Sequence, residues 1–233
     1  GVTNNNPASA TLTVTSNYSL GNRVWYDTNN NSAIDGSEQG ISDVRVELYQ
    51  DNGTNPGVFD AGDTFVGFAT TDASGYYRFD NLTAGDYVVA IPADNFRNVG
   101  GGDTVAGDPL AGYWSSGTSI NAAGVASDST ANDADTTPTD SDDNGLSTIS
   151  GNQVTFVAAA AVTLGPGASE PLNEADLSAT GQGTFDAYAN MTVDFGFYRQ
   201  SLGNLVYIDV NEDGTFNTGE TPISGGTVQL FSS

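Results

Sequence analysis

Two stretches of this 233-residue chain are copies of each other, 182 positions apart, and each carries the same twelve-residue pattern of oxygen-bearing side chains. Leu20-Gly21-Asn22-Arg23-Val24-Trp25-Tyr26-Asp27 answers Leu202-Gly203-Asn204-Leu205-Val206-Tyr207-Ile208-Asp209. Ile41-Ser42, Val46 and Leu48 answer Ile223-Ser224, Val228 and Leu230. Eleven of the 30 positions from Leu20 to Tyr49 are identical without a gap, so the two copies predict one strand–loop–strand unit used twice. The repeat argues against a single fold over the whole chain. It predicts a terminal strand of a preceding or neighbouring module over 1–18, a complete domain over 19–198, and the first part of a second copy over 201–233.

The loop inside each copy has the spacing of a calcium loop. Asp209, Asn211, Asp213 and Glu220 hold positions 1, 3, 5 and 12, Gly214 holds the sharp turn at 6, and Thr215 can offer its carbonyl at 7. Asp27, Asn29, Asn31, Ala33 and Glu38 hold the same positions in the first copy, where Ser32 stands in place of the glycine. An Asx-rich turn would explain the Asp and Asn residues by local hydrogen bonding alone. It does not require a glutamate at position 12, and both copies have one. With two carboxylates against three, the first loop is expected to bind calcium more weakly than the second.

Composition narrows the chemistry in the same direction. Five Arg, no Lys and 29 acidic residues leave a formal charge of −24, the reverse of what nucleic acid or an anionic membrane requires. The chain contains no Cys and no His, so thiolate chemistry, zinc-thiolate sites and the usual general base are all missing. What remains is the hard-oxygen ligand set of calcium, and bound cations would relieve the self-repulsion of the fold. Paired carboxylates arise by chance among 29 acids and do not indicate a glycosidase, so no catalytic residue is assigned and the chain reads as a non-enzyme. The longest apolar stretch, Phe156 to Leu164, is about half the roughly 20 residues a membrane helix needs, so no membrane insertion is expected.

Period-two alternation marks strands at Ala10–Ser16, Leu20–Tyr26, Val44–Tyr49, Phe65–Thr70, Gly75–Phe79, Tyr87–Ile91 and Met191–Tyr198. Their spacing predicts an all-β, antiparallel sandwich. From Phe96 to Leu146 the pattern dissolves into Gly, Asp, Ser and Thr, a stretch that needs a metal, a partner or disorder to organise it. Trp25 lies in an alternating strand and is expected in the core, while Trp114 divides evenly between loop packing and exposed contact.

Several motifs in fixed order carry a family resemblance: Leu20-Gly-Asn-x-Val-Trp-Tyr-Asp27, Glu38-x-x-Ile41, and Thr71-Asp72-x-x-Gly75-x-Tyr77-x-Phe79-x-x-Leu82-x-x-Gly85-x-Tyr87. Asp142-Asp143-Asn144-Gly145 and Val193-Asp194-Phe195-Gly196-Phe197 continue the series. Residues 19–198 thereby resemble the long form of the SdrD B-like (Cna B-type) domain of bacterial surface proteins, and the resemblance restarts after 198. It implies a prealbumin-like, Ig-like β-sandwich with long acidic calcium-binding loops, secreted or displayed on a cell surface, tandemly repeated and non-enzymatic. The absence of Lys excludes the isopeptide-crosslinked variant of related modules.

Two further clusters are cation candidates. Asp51, Asn55, Asp60 and Asp63 surround a Pro56-Gly57 turn, and an acidic hairpin loop is the plainer account of them. Asp128, Asp133, Asp135, Asp140, Asp142 and Asp143 form the richest run, of a kind that is usually solvated, yet the resemblance favours ordering by ions. Several Ca2+ ions are therefore expected. The functional expectation is a calcium-stabilised structural repeat of an extracellular filament, stalk or surface layer, its partners being neighbouring copies assembled head to tail, with residues 9–16 and 202–231 available for strand complementation. The alternative is an adhesin or carbohydrate-binding module that meets a host or matrix ligand through the 96–146 loops.

Overall fold

The computed structural model describes residues 17–96, 107–129, 142–151, 153–168, 170–201 and 203–231. The strand expected at Ala10–Ser16 and the candidates Asp133, Asp135 and Asp140 lie outside the described residues. The chain divides into two compact units, Gly1–Arg199 and Gln200–Ser233.

Among its described residues the first unit is all-β apart from two single 3-10 turns, Ala93–Asn95 and Asp186–Tyr188. Its strands are β1 Tyr18–Tyr26, β2 Arg45–Gln50, β3 Thr64–Thr70, β4 Tyr76–Leu82, β5 Gly85–Ile91, β6 Trp114–Ser115, β7 Ser119–Ile120, β8 Ala126–Ser127, β9 Leu146–Ser150, β10 Gln153–Ala158, β11 Val162–Leu164, β12 Ala189–Asn190 and β13 Phe195–Tyr198. One sheet runs β12-β1-β13-β6 with β4 on the other edge of β1. The other runs β3-β2-β5-β10-β9 with β11 also on β5. Alternation sends Leu20 and Val24 of β1, Val46 and Leu48 of β2, and Tyr77 and Phe79 of β4 into one cluster with Val89, Ile91, Val157, Phe195 and Phe197. Each such fully buried side chain contributes about 1.5–3 kcal/mol.

Pairing is antiparallel except at β1, which takes β12 and β13 in parallel. The register moves by one residue between Leu20↔Asn190 and Val24↔Phe195. Of the single strand expected at Met191–Tyr198 only Phe195–Tyr198 forms; ahead of it Val193 N still reaches Gly21 O of β1 (3.2 Å), but the Asp194 amide donates to Asn144 Oδ1 (2.6 Å). Gly196 sits where β13 passes over Trp25, and a Cβ there would lie 2.7 Å from the indole ring. Trp25 is fully buried, as its alternation predicts, and Trp114 packs half-buried against the same core.

Strands β9 to β11 lie outside the segments that the sequence marks as strands. Val157, Ala158, Val162 and Leu164 are buried because the second sheet is covered on both faces around β5. On its outer face Val88, Ala90 and Ala158 pack under Tyr49, Phe59 and Phe156, and the 51–63 loop brings Phe59 there. The expected structureless stretch 96–146 holds β6 on β13 and the β7–β8 hairpin within its described part.

In the second unit, β14 Tyr207–Ile208 pairs with β15 Thr221–Pro222. Tyr207↔Pro222 repeats, position for position, the Trp25↔Gly40 bridge of the first unit. The bond from Ile223 N to Val206 O (2.8 Å) likewise repeats that from Ile41 N to Val24 O (2.8 Å).

Candidate metal sites

The first loop is a cage of backbone donors around acidic oxygens. Asp27 follows directly from β1, and its amide donates to Phe197 O of β13 (2.8 Å). Its carboxylate, fully buried, accepts from Asn29 N (3.3 Å) and Asn31 N (3.3 Å) on Oδ1, and from Ser32 N (2.9 Å) and Ser116 Oγ (2.8 Å) on Oδ2. Glu38 closes the loop: Oε1 accepts from Thr28 N (2.7 Å) and Oε2 from Asp35 N (3.1 Å). Asn29 and Asn31 turn their amide groups to Asp35 Oδ2 (3.0 and 2.8 Å).

The second loop reproduces this arrangement in detail. Asp209 Oδ2 accepts from Gly214 N (2.8 Å), Asp213 Oδ1 from Thr215 N (2.8 Å), and Glu220 from Val210 N (3.0 Å) and Asn217 N (2.8 Å). Positions 4 and 6 take positive φ in both copies, Asn30 (55°) and Ser32 (61°) against Glu212 (59°) and Gly214 (74°). Backbone N–H groups hold Asp209 and Asp213 below the ordinary carboxylate range, Gly214 and Thr215 respectively acting most strongly.

Tertiary structure adds to the first loop what its local sequence lacks. Asp142 bridges to Ala33, and the Asp143 amide donates to Ser32 O (3.1 Å), so the Asp-Asp-Asn-Gly motif docks on the loop. Asp143 is buried, with Oδ1 accepting from Gly145 N (3.1 Å) and Gly196 N (2.9 Å). Burial pushes its carboxyl well up, and the negative charges of Asp128 and Asp27 push it further, against the Gly196 and Gly145 amides. Asp194, also fully buried, accepts from Arg23 N (3.0 Å) on Oδ1. Asp128 is placed on β9 by Ser147 N (2.9 Å) and Ser147 Oγ (2.6 Å).

The 51–63 loop is organised around its acids. Asp63 accepts from Asn52 N, Gly53 N and Asp60 N, and Asp60 accepts from Thr54 N, Asn55 N and Gly62 N. Asp51 Oδ2 accepts from Gly57 N (2.6 Å), while its Oδ1 is buried with no hydrogen-bond partner. The Asn55 backbone takes part through the bond to Asp60.

Among the described residues no three acidic side chains converge as a ready metal cluster. The donor sets nevertheless suit calcium in kind: carboxylate, amide and carbonyl oxygens only, several of them buried close to like charge. Two members of the loops escaped the spacing argument. Asp35 and Asn217 occupy position 9, a ligand position of the twelve-residue pattern, and counting to nine would have found both. Ser116 carries no sequence signal, since only the fold brings β6 beside Asp27.

Comparison with known proteins agrees with this architecture. Residues 18–108 match the SdrD B-like domain family. Over 216 residues, 91% of this chain, it is 30% identical to serine-aspartate repeat-containing protein E of Staphylococcus aureus (strain MSSA476) and to bone sialoprotein-binding protein of S. aureus (strain MRSA252), covering 12% of each. Over 75 residues, 32% of the chain, it is 44% identical to a fibrinogen-binding protein of Staphylococcus epidermidis and covers 6% of it. The chain thus spans an eighth or less of these relatives. The family match ends at 108, whereas the core closes only when β13 joins β1. Residues 18–108 thus match the SdrD B-like domain family, and over most of its length the chain is similar to one stretch of the staphylococcal serine-aspartate repeat-containing proteins.

Proposed function

We propose that this surface repeat domain is a non-catalytic structural module stiffened by bound calcium, one ion near the start of each repeat, within an extracellular filament or stalk. The observation that carries the reading is the duplication itself: two loops 182 residues apart share hydrogen-bond pattern, positive-φ positions and flanking bridge. Asp27, Asn29, Asn31, the Ala33 carbonyl and Glu38 would hold the first ion, and Asp209, Asn211, Asp213, the Thr215 carbonyl and Glu220 the second. Asp51, whose buried Oδ1 has no hydrogen-bond partner among the described residues, would hold a further ion in the 51–63 loop together with Asn55, Asp60 and Asp63. Calcium supplies positive charge where Asp27 and Asp143 are buried near each other. At calcium ~100 times the dissociation constant, each site adds about 2.7 kcal/mol to folded-state stability. Head-to-tail contact with neighbouring copies would then propagate a rod. Thermal melts in calcium and in EDTA test the reading; an unchanged melting temperature overturns it.

An adhesive module is the second reading, motivated by relatives named for fibrinogen and bone sialoprotein binding. Saturable binding of either ligand by this chain, lost on trimming the β7–β8 hairpin, would favour it.

A further inference from the structure

A cleft of about 390 Å³ opens on the first unit away from the acidic loops, lined by Tyr18, Pro166, Glu170, Leu172 and Tyr188 among others. Tyr18 and Tyr188 meet edge to face (5.6 Å) and form one wall, and Leu172 is 46% exposed on the rim. Glu170 is the acidic member of the lining. Both of its carboxylate oxygens are buried, and neither has a hydrogen-bond partner among the described residues. A buried carboxylate so short of donors is costly, because the ionised form has lost water and the nearby Gly165 amide makes good only part of the loss. A group that brings N–H donors into the cleft would complete the bonding of this carboxylate.

The geometry points to a recognition site for a basic side chain, the alkylammonium of lysine or the guanidinium of arginine, presented by a partner polypeptide. A cation with a methylene stem fits both halves of the cleft. Its charged head supplies N–H donors to Glu170, and its stem lies against the tyrosine rings and Leu172. Charge complementarity favours the same occupant. The chain carries −24 and has no lysine, so an external basic segment is drawn towards it, whereas an acidic one is repelled. The titration of Glu170 agrees: burial raises its carboxyl to about 7, the nearby Gly165 amide offsets part of the rise without meeting hydrogen-bond geometry, and Glu174 adds to it. An arriving cation would reverse that rise. Tyr18, Tyr188 and Glu174 are the other titratable groups facing Glu170 from the lining or through charge. The site is independent of the calcium loops and stands or falls without them.

The test is an NMR titration of the 15N-labelled chain in saturating calcium, with n-butylammonium chloride exchanged for sodium chloride at constant ionic strength. Saturable shifts centred on the amides of Gly165, Gly167, Ala168 and Tyr188 are expected, with butylammonium binding at least threefold tighter than methylammonium. Glu170→Gln should weaken butylammonium at least tenfold. Leu172→Ala, which keeps the carboxylate, should bring the butyl and methyl affinities together. Absence of saturable shifts, equal response to n-butanol, or displacement of butylammonium by further calcium would each overturn the proposal.

Discussion

The two twelve-residue loops share a backbone and differ in what surrounds it. Asp27 is fully buried, bonded by Ser116 and flanked by Asp143, whereas Asp209 is partly exposed and, among the described residues, bonded within its own loop. Val46 and Leu48 are wholly buried beside the first loop, while their counterparts Val228 and Leu230 are 78% and 81% exposed. Loop conformation is therefore a property of the local sequence, and the coupling of a loop to global stability is a property of its enclosure. The carboxylate count changes too: Asp35 at position 9 joins Asp27 and Glu38 in the first loop, and the docked Asp143 lies close by.

Removing calcium should separate the loops most. Both tryptophans lie in the first unit, so tryptophan fluorescence reports that unit alone. EDTA should lower its unfolding midpoint by the equivalent of several kcal/mol, at about 2.7 kcal/mol per saturated site. Glu220→Gln should leave the same midpoint where it was. A midpoint that follows Glu220→Gln would show that the two loops are not energetically separate.

Next in size is the aspartate at position 1. Asp27→Ala strips the acceptor from Ser116 and from the Asn29, Asn31 and Ser32 amides, and should cost the first unit at least about 3 kcal/mol in a denaturant titration. Asp209→Ala should change that transition by no more than about 0.5 kcal/mol. Comparable losses from the two substitutions would contradict the role given to burial.

The sixth position gives a smaller and opposite pair. Ser32 holds φ 61° where Gly214 holds 74°. Replacing Ser32 with Gly should stabilise the first loop and Gly214→Ser should weaken the second, each by roughly 1 kcal/mol from the left-handed backbone, less the entropy glycine returns to the unfolded chain. Amide exchange of the loop residues would read both changes.

The smallest energetic contrast is in pH, in calcium-free protein. Asp209 and Asp213 are depressed by backbone N–H groups, so their contribution is present above the unfolded value of 3.8 and is lost as pH falls through the folded values. Asp143 is raised by burial, so the folded state binds the proton more tightly than the unfolded chain does, and stability declines as pH rises above 3.8 towards the folded value. Carboxyl 13C titrations should place Asp143 above both exposed acids. The reverse order would remove the distinction between a buried and an open loop.

Local rules reached far into this molecule and stopped where distant segments meet. Period-two alternation was enough to mark β1 to β5: β1, β2 and β4 turn one face to a common core, while β3 is largely exposed and β5 is buried on both faces. It did not mark β9 to β11: β10 and β11 are buried through pairing with β5, and the short, exposed β9 only edges β10. The loop ligands were legible because position-specific oxygens and a turn at position 6 act over twelve residues. The docking of Asp142 and Asp143 on Ser32 and Ala33 was not legible, nor was the bond from Ser116 to Asp27, and the cleft of Glu170 left no trace in the motifs. The sequence by itself determined that the chain is a repeated, oxygen-rich, all-β module, since composition, alternation and spacing are properties of neighbouring residues. Only the tertiary structure decided which acids share one buried environment, because burial and charge–charge repulsion depend on distances in space that the order of residues does not set.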